Sequence, residues 1–198
     1  MSLLEISKAV KELAGECRRR GVPFIVDAAQ SAGAVPIDFE KLGAAFVAMP
    51  GHKGLLGPQG TGLLLCRDGA VPLLRGGTGS ESRNREMPDY LPDRLEAGTL
   101  NVPGIAGLEA GLRYLRAVGI KTVFDREHTQ LKAAAAGLEK LGMRCFSGPH
   151  QAGTLSFLPG TDCEEAAELL GNQGIAVRAG LHCAPLAHES AGTLDTGT

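Results

Sequence analysis

The chain has 198 residues and a formal net charge of −2, with 20 basic against 22 acidic side chains. Hydrophobic residues make up 43% of the sequence, which is typical of a globular protein and excludes wholesale disorder or a collagen-like repeat. A charge so close to zero argues against nucleic acid or an anionic membrane surface as the main partner. No apolar run approaches the roughly 18 to 20 residues of a membrane span, and no secretory signal is visible, so we expect a cytoplasmic protein.

Short apolar runs and helical periodicities alternate in the first part of the chain. Three runs predict strands, at residues 22–26, 44–49 and 61–66. Three stretches with apolar residues at helical spacing predict helices, at residues 5–20, 103–118 and 120–141. The run at 22–26 is apolar throughout, which indicates a strand buried on both faces. Residues 76–100 are polar and rich in Gly, Arg and Glu, which indicates a long functional loop.

The pattern changes near residue 119. The elements predicted after the second long helix are a strand at 144–147, a strand at 153–158, a helix at 162–171 and a strand at 175–178. The whole order predicts an α/β protein. Residues 1–118 would form a mostly parallel buried sheet with helices, and residues 119–198 a small α+β domain.

Five cysteines are scattered along the chain, at positions 17, 66, 145, 163 and 183. An odd number without a CxxC pair predicts neither a disulfide framework nor a structural zinc ribbon. Cys66 and Cys145 lie in apolar stretches, and we expect most of these thiols to be small core hydrophobes. Cys183 differs because the residues around it are polar and glycine-rich.

Two chemically active side chains follow the ends of two predicted strands. Asp27 comes directly after the strand at 22–26, and Lys53 comes just after the strand at 44–49. In open α/β sheets, ligands bind outside the carboxyl ends of the strands, and neighbouring strands lie about 5 Å apart. An acid and an amine at this edge could face opposite sides of one planar ligand. Taken alone, Asp27 could instead cap a helix and Lys53 could be an ordinary surface residue.

The neighbours of this pair, Gln30 and His52, favour a cofactor site. Pyridoxal phosphate needs a carboxylate that keeps its ring nitrogen protonated and a lysine that binds its aldehyde and moves the substrate Cα proton. Other phosphate-binding patterns fit poorly, because the chain has no GxxxxGK[ST] motif and the run Gly76–Gly79 lacks the last glycine of GxGxxG. These residues therefore predict pyridoxal phosphate as the cofactor.

Four sequence blocks carry a resemblance that covers essentially the whole chain. They are DAAQSAG at 27–33, GHKG with GPQGTG at 51–62, EAGTLN at 96–101 and RAGLHCA at 178–184. In this order they closely resemble the class V aminotransferase family of pyridoxal-phosphate enzymes. The nearest branch is similar to the cysteine desulfurases and selenocysteine lyases. The resemblance implies part of the fold type I large domain followed by a small C-terminal domain that is incomplete at its end.

The resemblance also implies roles for individual residues toward the cofactor. Lys53 resembles the Schiff-base lysine, Asp27 the partner of the pyridine nitrogen and Gln30 the partner of the phenolic oxygen. His52 matches a phosphate ligand. Thr99 matches a residue that reaches the cofactor phosphate of the other subunit, which implies a homodimer.

Two further residues are implied to act on the substrate. Arg178 matches a substrate-binding arginine, and Cys183 matches the nucleophile that accepts sulfur. That step needs a thiolate on a mobile, partly exposed loop, and the stretch between Arg178 and His188 predicts one. The basic side chains of Arg178, His182 and His188 could favour the thiolate. A metal site made by His182, Cys183 and His188, or an inert core thiol, are the alternatives.

The implied reaction removes sulfur from L-cysteine and gives alanine and an enzyme persulfide. The expected substrate is cysteine or selenocysteine, and a sulfur-acceptor protein is a further expected partner. An aminotransferase or lyase reaction on another amino acid, with Cys183 incidental, is an alternative. A truncated, inactive remnant that only folds or dimerises is another, and a zinc-binding module is a more distant one.

Two features depart from the family's pattern. Pro50 occupies a position where the family often has a serine, so it offers no hydroxyl to the phosphate. Family members are roughly twice as long, and their first half supplies a phosphate-binding turn and a ring that stacks on the cofactor. Each lost charge-assisted hydrogen bond costs about 1.5–3 kcal/mol. We therefore expect a fragment from the later half of such an enzyme, inactive in this form.

Overall fold

The computed structural model describes residues 3–67, 69–148, 151 and 153–198. The chain divides into two compact units, of which the first is Glu5–Phe124 and the second is made mainly of Asp125–Thr198. No helix within the described ranges is long and apolar enough to span a membrane.

A small mixed sheet lies at the centre of the first unit. Its strands, in spatial order, are β1 (Ile25–Asp27), β2 (Phe46–Pro50) and β3 (Gly62–Cys66). β1 pairs with β2 in parallel, and β3 pairs with β2 antiparallel. The helices before, between and after them are α1 (Leu3–Arg19), the short α2 (Phe39–Leu42) and α3 (Val102–Val118). The predicted α/β class is confirmed, and each strand and long helix predicted in this unit is present within a few residues. The prediction of a mostly parallel sheet is wrong for the described strands, because β3 runs antiparallel to β2.

The core of the first unit packs against one face of this sheet. Val47, at the centre of β2, is fully buried. Leu108 and Leu115 of α3 lie seven residues apart on one side of the helix, and both belong to the same buried cluster as Val47. Leu55, from the turn after β2, completes the contact. The turn after β2 and helix α3 therefore share one core.

The strand predicted to be buried on both faces is open on one of them. Ile25 of β1 is 64% exposed, and Leu64 of β3, on the same face, is 51% exposed. The other face carries Val26 and Val47, which pack into the core. An apolar run does not by itself specify two covering layers, and in the described part of the chain only the Val47 face has packed apolar neighbours.

The second unit contains a two-stranded antiparallel sheet and short helices. The strands are β4 (Arg144–Phe146) and β5 (Ser156–Leu158). Helix α4 (Ile120–Lys140) crosses the boundary between the two units, and α5 (Cys163–Asn172) and α6 (Pro185–Ala191) follow the hairpin. The domain division expected between residues 118 and 119 stays a prediction.

Two predictions in the second unit are wrong. Residues 175–178 do not form a strand, because no other strand in the described ranges pairs with them. The stretch between Arg178 and His188 is not one loop, because α6 begins at Pro185. Proline is well suited to the first turn of a helix, where its missing N–H costs nothing. The loop that carries Cys183 is therefore shorter than expected, at residues 178–184.

Candidate active site

Asp27 is the last residue of β1, and its carboxylate starts the turn that follows. Oδ1 accepts a hydrogen bond from the Ala29 N–H at 2.8 Å, an Asx-type turn that fixes the side chain. The Ala28 N–H donates to the Ala48 carbonyl at 2.9 Å, which extends the pairing with β2 by one residue. Asp27 is exposed. One carboxylate oxygen is thus held by the backbone, and the other has no hydrogen-bond partner among the described residues.

Lys53 lies in the turn after β2, which we call the lysine loop (residues 51–57). Because β1 and β2 are parallel, this loop and the turn after Asp27 leave the same edge of the sheet. The Lys53 carbonyl accepts a hydrogen bond from the Leu56 N–H at 2.9 Å, and the Gly51 carbonyl accepts one from the Gly57 N–H at 2.8 Å. The Lys53 side chain is exposed and pairs with no other residue in the described ranges.

A glycine contact brings the two turns together. Gly33, in the turn after β1, has a positive φ of 84°. A side-chain carbon placed there would overlap the carbonyl oxygen of Gly54 and lie 3.0 Å from its Cα. Only glycine permits both this conformation and this approach. The turns that carry Asp27 and Lys53 therefore touch through their backbones, as the strand-end argument requires.

Gln30 and His52 are exposed members of the same two turns. Neither side chain makes a hydrogen bond within the part of the chain that the structure describes. Thr99 is exposed in the segment between the 3-10 turn Asp93–Leu95 and α3. The N–H of its neighbour Gly98 donates to the Gly77 carbonyl at 2.8 Å, which ties this segment to the long polar loop. The roles given to Gln30, His52 and Thr99 stay predictions.

Cys183 is the exposed member of the five free cysteines, so the alternative of an inert core thiol is wrong. Arg178 Nη2 donates a long hydrogen bond to Cys183 Sγ at 3.9 Å. The backbone at His182 and Cys183 is left-handed, with φ of 52° and 59°, a conformation uncommon outside glycine. His182 Nε2 lies 3.1 Å from Thr198 Oγ1. The thiol is thus presented to solvent beside a guanidinium.

His188 occupies a different environment from His182. It is buried, and its Nδ1 lies 2.9 Å from Thr193 Oγ1. The two imidazole rings are 5.7 Å apart between centroids. Within the described ranges, no three His, Cys, Asp or Glu side chains cluster closely enough to hold a metal ion.

A cavity in the second unit does not coincide with the predicted residues. It has a volume of about 170 Å³ and is lined by Phe146, Ser156, Ala187, His188, Ala191, Thr193 and Thr198. A smaller cavity of about 30 Å³ has Arg178 and Cys163 in its wall. Neither of these cavities contains Asp27 or Lys53. In this structure the Asp27 and Lys53 turns form an open surface.

The structure brings the predicted residues together in two groups. Asp27, Gln30, His52 and Lys53 lie in the touching turns of the first unit, and Arg178 contacts Cys183 in the second. The glycine contacts of the first group were missed, because they join segments that are distant in sequence. The sequence feature that could have indicated close contacts is the spacing of Gly104, Gly107 and Gly111 along α3.

Comparison with known proteins gives a consistent result. The family model described as aminotransferase class-V matches residues 4–194. A probable cysteine desulfurase of Pyrococcus abyssi is 36% identical over 195 residues, which cover 91% of this chain and 48% of the relative. A similar relative from Methanothermobacter thermautotrophicus is 36% identical over 205 residues, 93% of this chain and 50% of its own. The chain thus spans about half the length of the curated relatives it matches.

Solved structures agree with these relatives. The apo structure of a cysteine desulfurase from Thermococcus onnurineus NA1 superposes with a TM-score of 0.82 at 36% identity, covering 96% of this chain and 49% of that one. The cysteine desulfurase CsdA of Escherichia coli, solved as an S-sulfonic acid, gives a TM-score of 0.79 at 31% identity, covering 93% and 47%.

Proposed function

The chain belongs to the aminotransferase class-V family, and on this premise we propose that it carries part of the active site of a pyridoxal-phosphate-dependent cysteine desulfurase. The observation that carries the proposal is the pair of touching turns at the carboxyl ends of two parallel strands, which present Asp27 and Lys53. The names of relatives that are 34–36% identical support cysteine as the substrate.

The donor set in these turns fits the cofactor. Asp27 has a carboxylate oxygen without a protein partner in the described ranges, suited to a protonated ring nitrogen, and Lys53 has an exposed amine suited to an aldehyde. Gln30 would hold the phenolic oxygen and His52 the phosphate. When bound, pyridoxal phosphate withdraws electrons from the substrate carbon that bears the amino group. Lys53 would then take the proton from that carbon and return it later.

Cys183 is the proposed sulfur acceptor. Its thiolate would attack the sulfur of the substrate cysteine and form an S–S bond. The C–S bond breaks, its electron pair stays on carbon, and a proton completes alanine, which leaves a persulfide on Cys183. The exposure of the thiol supports this role, as does the Arg178 guanidinium, whose Nη2 lies 3.9 Å from Sγ. Arg178 would also bind the substrate.

We propose a homodimer in which Thr99 reaches the cofactor phosphate of the partner subunit. Two apolar residues that follow Thr99 in sequence are exposed, Leu100 at 41% and Val102 at 65%. In the segment Val71–Leu74, Leu73 is 96% exposed. Apolar side chains this exposed are typical of surfaces that another protein covers.

Five free thiols fit a reducing cytoplasm, where a sulfur-acceptor protein would take the persulfide sulfur.

The first test is capture of pyridoxal phosphate by the purified chain. We expect borohydride reduction to attach the cofactor covalently, with the modified peptide containing Lys53. Lys53→Ala should abolish this product, and Lys41→Ala, which removes another exposed lysine of the same unit, should leave it unchanged. Absence of any Lys53-dependent product would contradict the proposed cofactor site.

The second test is persulfide formation with cysteine and with selenocysteine, in a protein that carries the complete site. We expect persulfide on Cys183 and alanine in equal amounts, and loss of both with Cys183→Ala. Full alanine production by Cys183→Ala would remove Cys183 from the mechanism. Turnover of another amino acid in preference to cysteine would reassign the reaction within the family.

A further inference from the structure

The lysine loop is held on two sides by close backbone contacts at glycines, which have no side chain to prevent them. On one side is the contact between Gly33 and Gly54 described above. On the other side is α3, where a side-chain carbon at Gly111 would lie 2.5 Å from the Leu55 carbonyl oxygen and 2.8 Å from that of Leu56. Contacts of this kind are closer than any real side-chain carbon tolerates, so only glycine allows the helix and the loop to meet.

The face of α3 that carries Gly111 also makes a close contact at Gly107. A carbon added at Gly107 would lie 3.1 Å from the Pro58 ring. From the loop side, a carbon added at Gly57 would lie 2.7 Å from Leu108 Cδ1. Gly107 and Gly111 are four residues apart and so lie on one face of α3. The lysine loop therefore runs between the turn after Asp27 and the backbone of α3.

This arrangement matters because the Lys53 side chain has no anchor of its own in the described ranges. Its position is set only by the backbone of the loop, through the Leu56 and Gly57 hydrogen bonds and the packing of Leu55 in the core. A reacting amine must meet its partner in a narrow range of geometries, so displacement of its backbone by a fraction of an ångström is costly. The contacts that fix the loop thus fix the amine.

We propose that Gly33, Gly54 and Gly111 are positioning residues for Lys53, acting as a clamp that lets two neighbours close directly on the backbone of the lysine loop. The proposal rests on the proposed function for the role of Lys53 as the cofactor lysine. Alanine at position 111 suits a helix better than glycine. Because two core leucines, Leu108 and Leu115, hold α3 while one, Leu55, holds the loop, we expect the loop rather than the helix to shift when a carbon is added there.

Hydrogen exchange tests the clamp without any cofactor. In Gly111→Ala we expect the Leu56 and Gly57 amides, which donate to Lys53 and Gly51, to lose about tenfold in protection, while the amides between β2 and β3 stay unchanged. The matched control is Gly15→Ala, in α1, where an added carbon meets only Arg19 Nη1 at 4.0 Å. It should leave every one of these amides as before.

Gly33→Ala approaches the loop from the opposite side and should expose the same two amides, which keeps the test valid if Gly111→Ala does not fold. Equal loss of protection throughout the unit, or no loss at Leu56 and Gly57 in either variant, would overturn the clamp.

Capture of pyridoxal phosphate separates the two proposals. We expect Gly111→Ala to lower the rate of Lys53 modification about tenfold or more, and Gly15→Ala to match the unsubstituted chain. If the unsubstituted chain gives no Lys53 product, the proposed function fails while the exchange result still decides the clamp. If Lys53 reacts equally in all variants and exchange is unchanged, the clamp fails while the proposed function stands.

Discussion

The lysine loop and the loop at 178–184 present reactive groups by opposite means. The lysine loop contains two buried residues, Gly51 and Leu55, and close contacts at glycines lie on two sides of it. The loop at 178–184, here called the cysteine loop, contains no fully buried residue. It is held by the hydrogen bond from Arg178 to Cys183, by the contact of His182 with Thr198, and by backbone bonds that include the one from Thr198 to Gly180. A segment without buried residues has a lower free energy of local opening than one packed into the core. We therefore expect the lysine loop to be fixed more firmly than the cysteine loop, which suits the roles proposed for Lys53 and Cys183.

The largest expected difference is in the reactivity of thiols. Cys183 is exposed, whereas Cys163 is buried at the start of α5. Since alkylation needs an accessible thiolate, Cys183 should react with iodoacetamide about a hundred times faster than Cys163. Mass spectrometry of samples quenched at short times gives both rates. Comparable alkylation rates would show that the Cys183 thiol is no more accessible than the buried Cys163 thiol.

A matched pair of glycine substitutions sharpens the comparison of the loops themselves. Gly33 and Gly180 both have positive φ, at 84° and 104°, so alanine strains the backbone at each. At Gly33 the added carbon overlaps Gly54, whereas at Gly180 the nearest atom is Glu164 Oε1 at 3.8 Å. Gly33→Ala should therefore lower the free energy of unfolding by about 1–3 kcal/mol more than Gly180→Ala does. Urea unfolding followed by circular dichroism measures both, and equal losses would contradict the close contact.

Removing the guanidinium beside Cys183 should have a moderate effect. Arg178→Met takes away the charge 3.9 Å from Sγ. Because both groups are exposed, solvent screens this charge, and the alkylation rate of Cys183 at neutral pH should fall only about threefold. Arg116→Met, a change at another exposed arginine, is the control. A rate that does not respond to Arg178→Met would leave the contact without a role in activating the thiol.

The smallest expected effect concerns Cys145, whose thiol is less exposed than that of Cys183. Burial, and secondarily the charge of Glu139, raise the pKa of Cys145. The unfolded chain then loses this proton at lower pH than the folded one, so stability is complete below the ordinary thiol pKa and falls as pH rises toward the raised value. The urea concentration at the midpoint of unfolding should be slightly lower at alkaline than at neutral pH. This difference should be smaller in Cys145→Ala. An identical difference in both proteins would assign it to other groups.

The sequence allowed prediction of the positions of Asp27 and Lys53 better than of the contacts around them. Asp27 and Lys53 could be placed because apolar runs end beside them and parallel strands end at one edge. The helix at 103–118 was predicted to within a residue, since its leucines repeat at helical spacing. The close contacts at Gly33, Gly54 and Gly111 could not be predicted, because they join segments distant in sequence and the spacing of glycines does not identify the partner. The stretch at 175–178 looked like a strand but has no partner among the described strands.

The open face of the central sheet bears on how the chain behaves in solution. Ile25 and Leu64 present apolar side chains to water there, and β1 lies at an edge of the sheet, where backbone groups are available for pairing. Salts such as ammonium sulfate strengthen contacts between such surfaces. Light scattering should therefore rise with both protein and sulfate concentration. Cofactor titrations belong in dilute, low-salt samples, where a spectral change reports binding rather than turbidity.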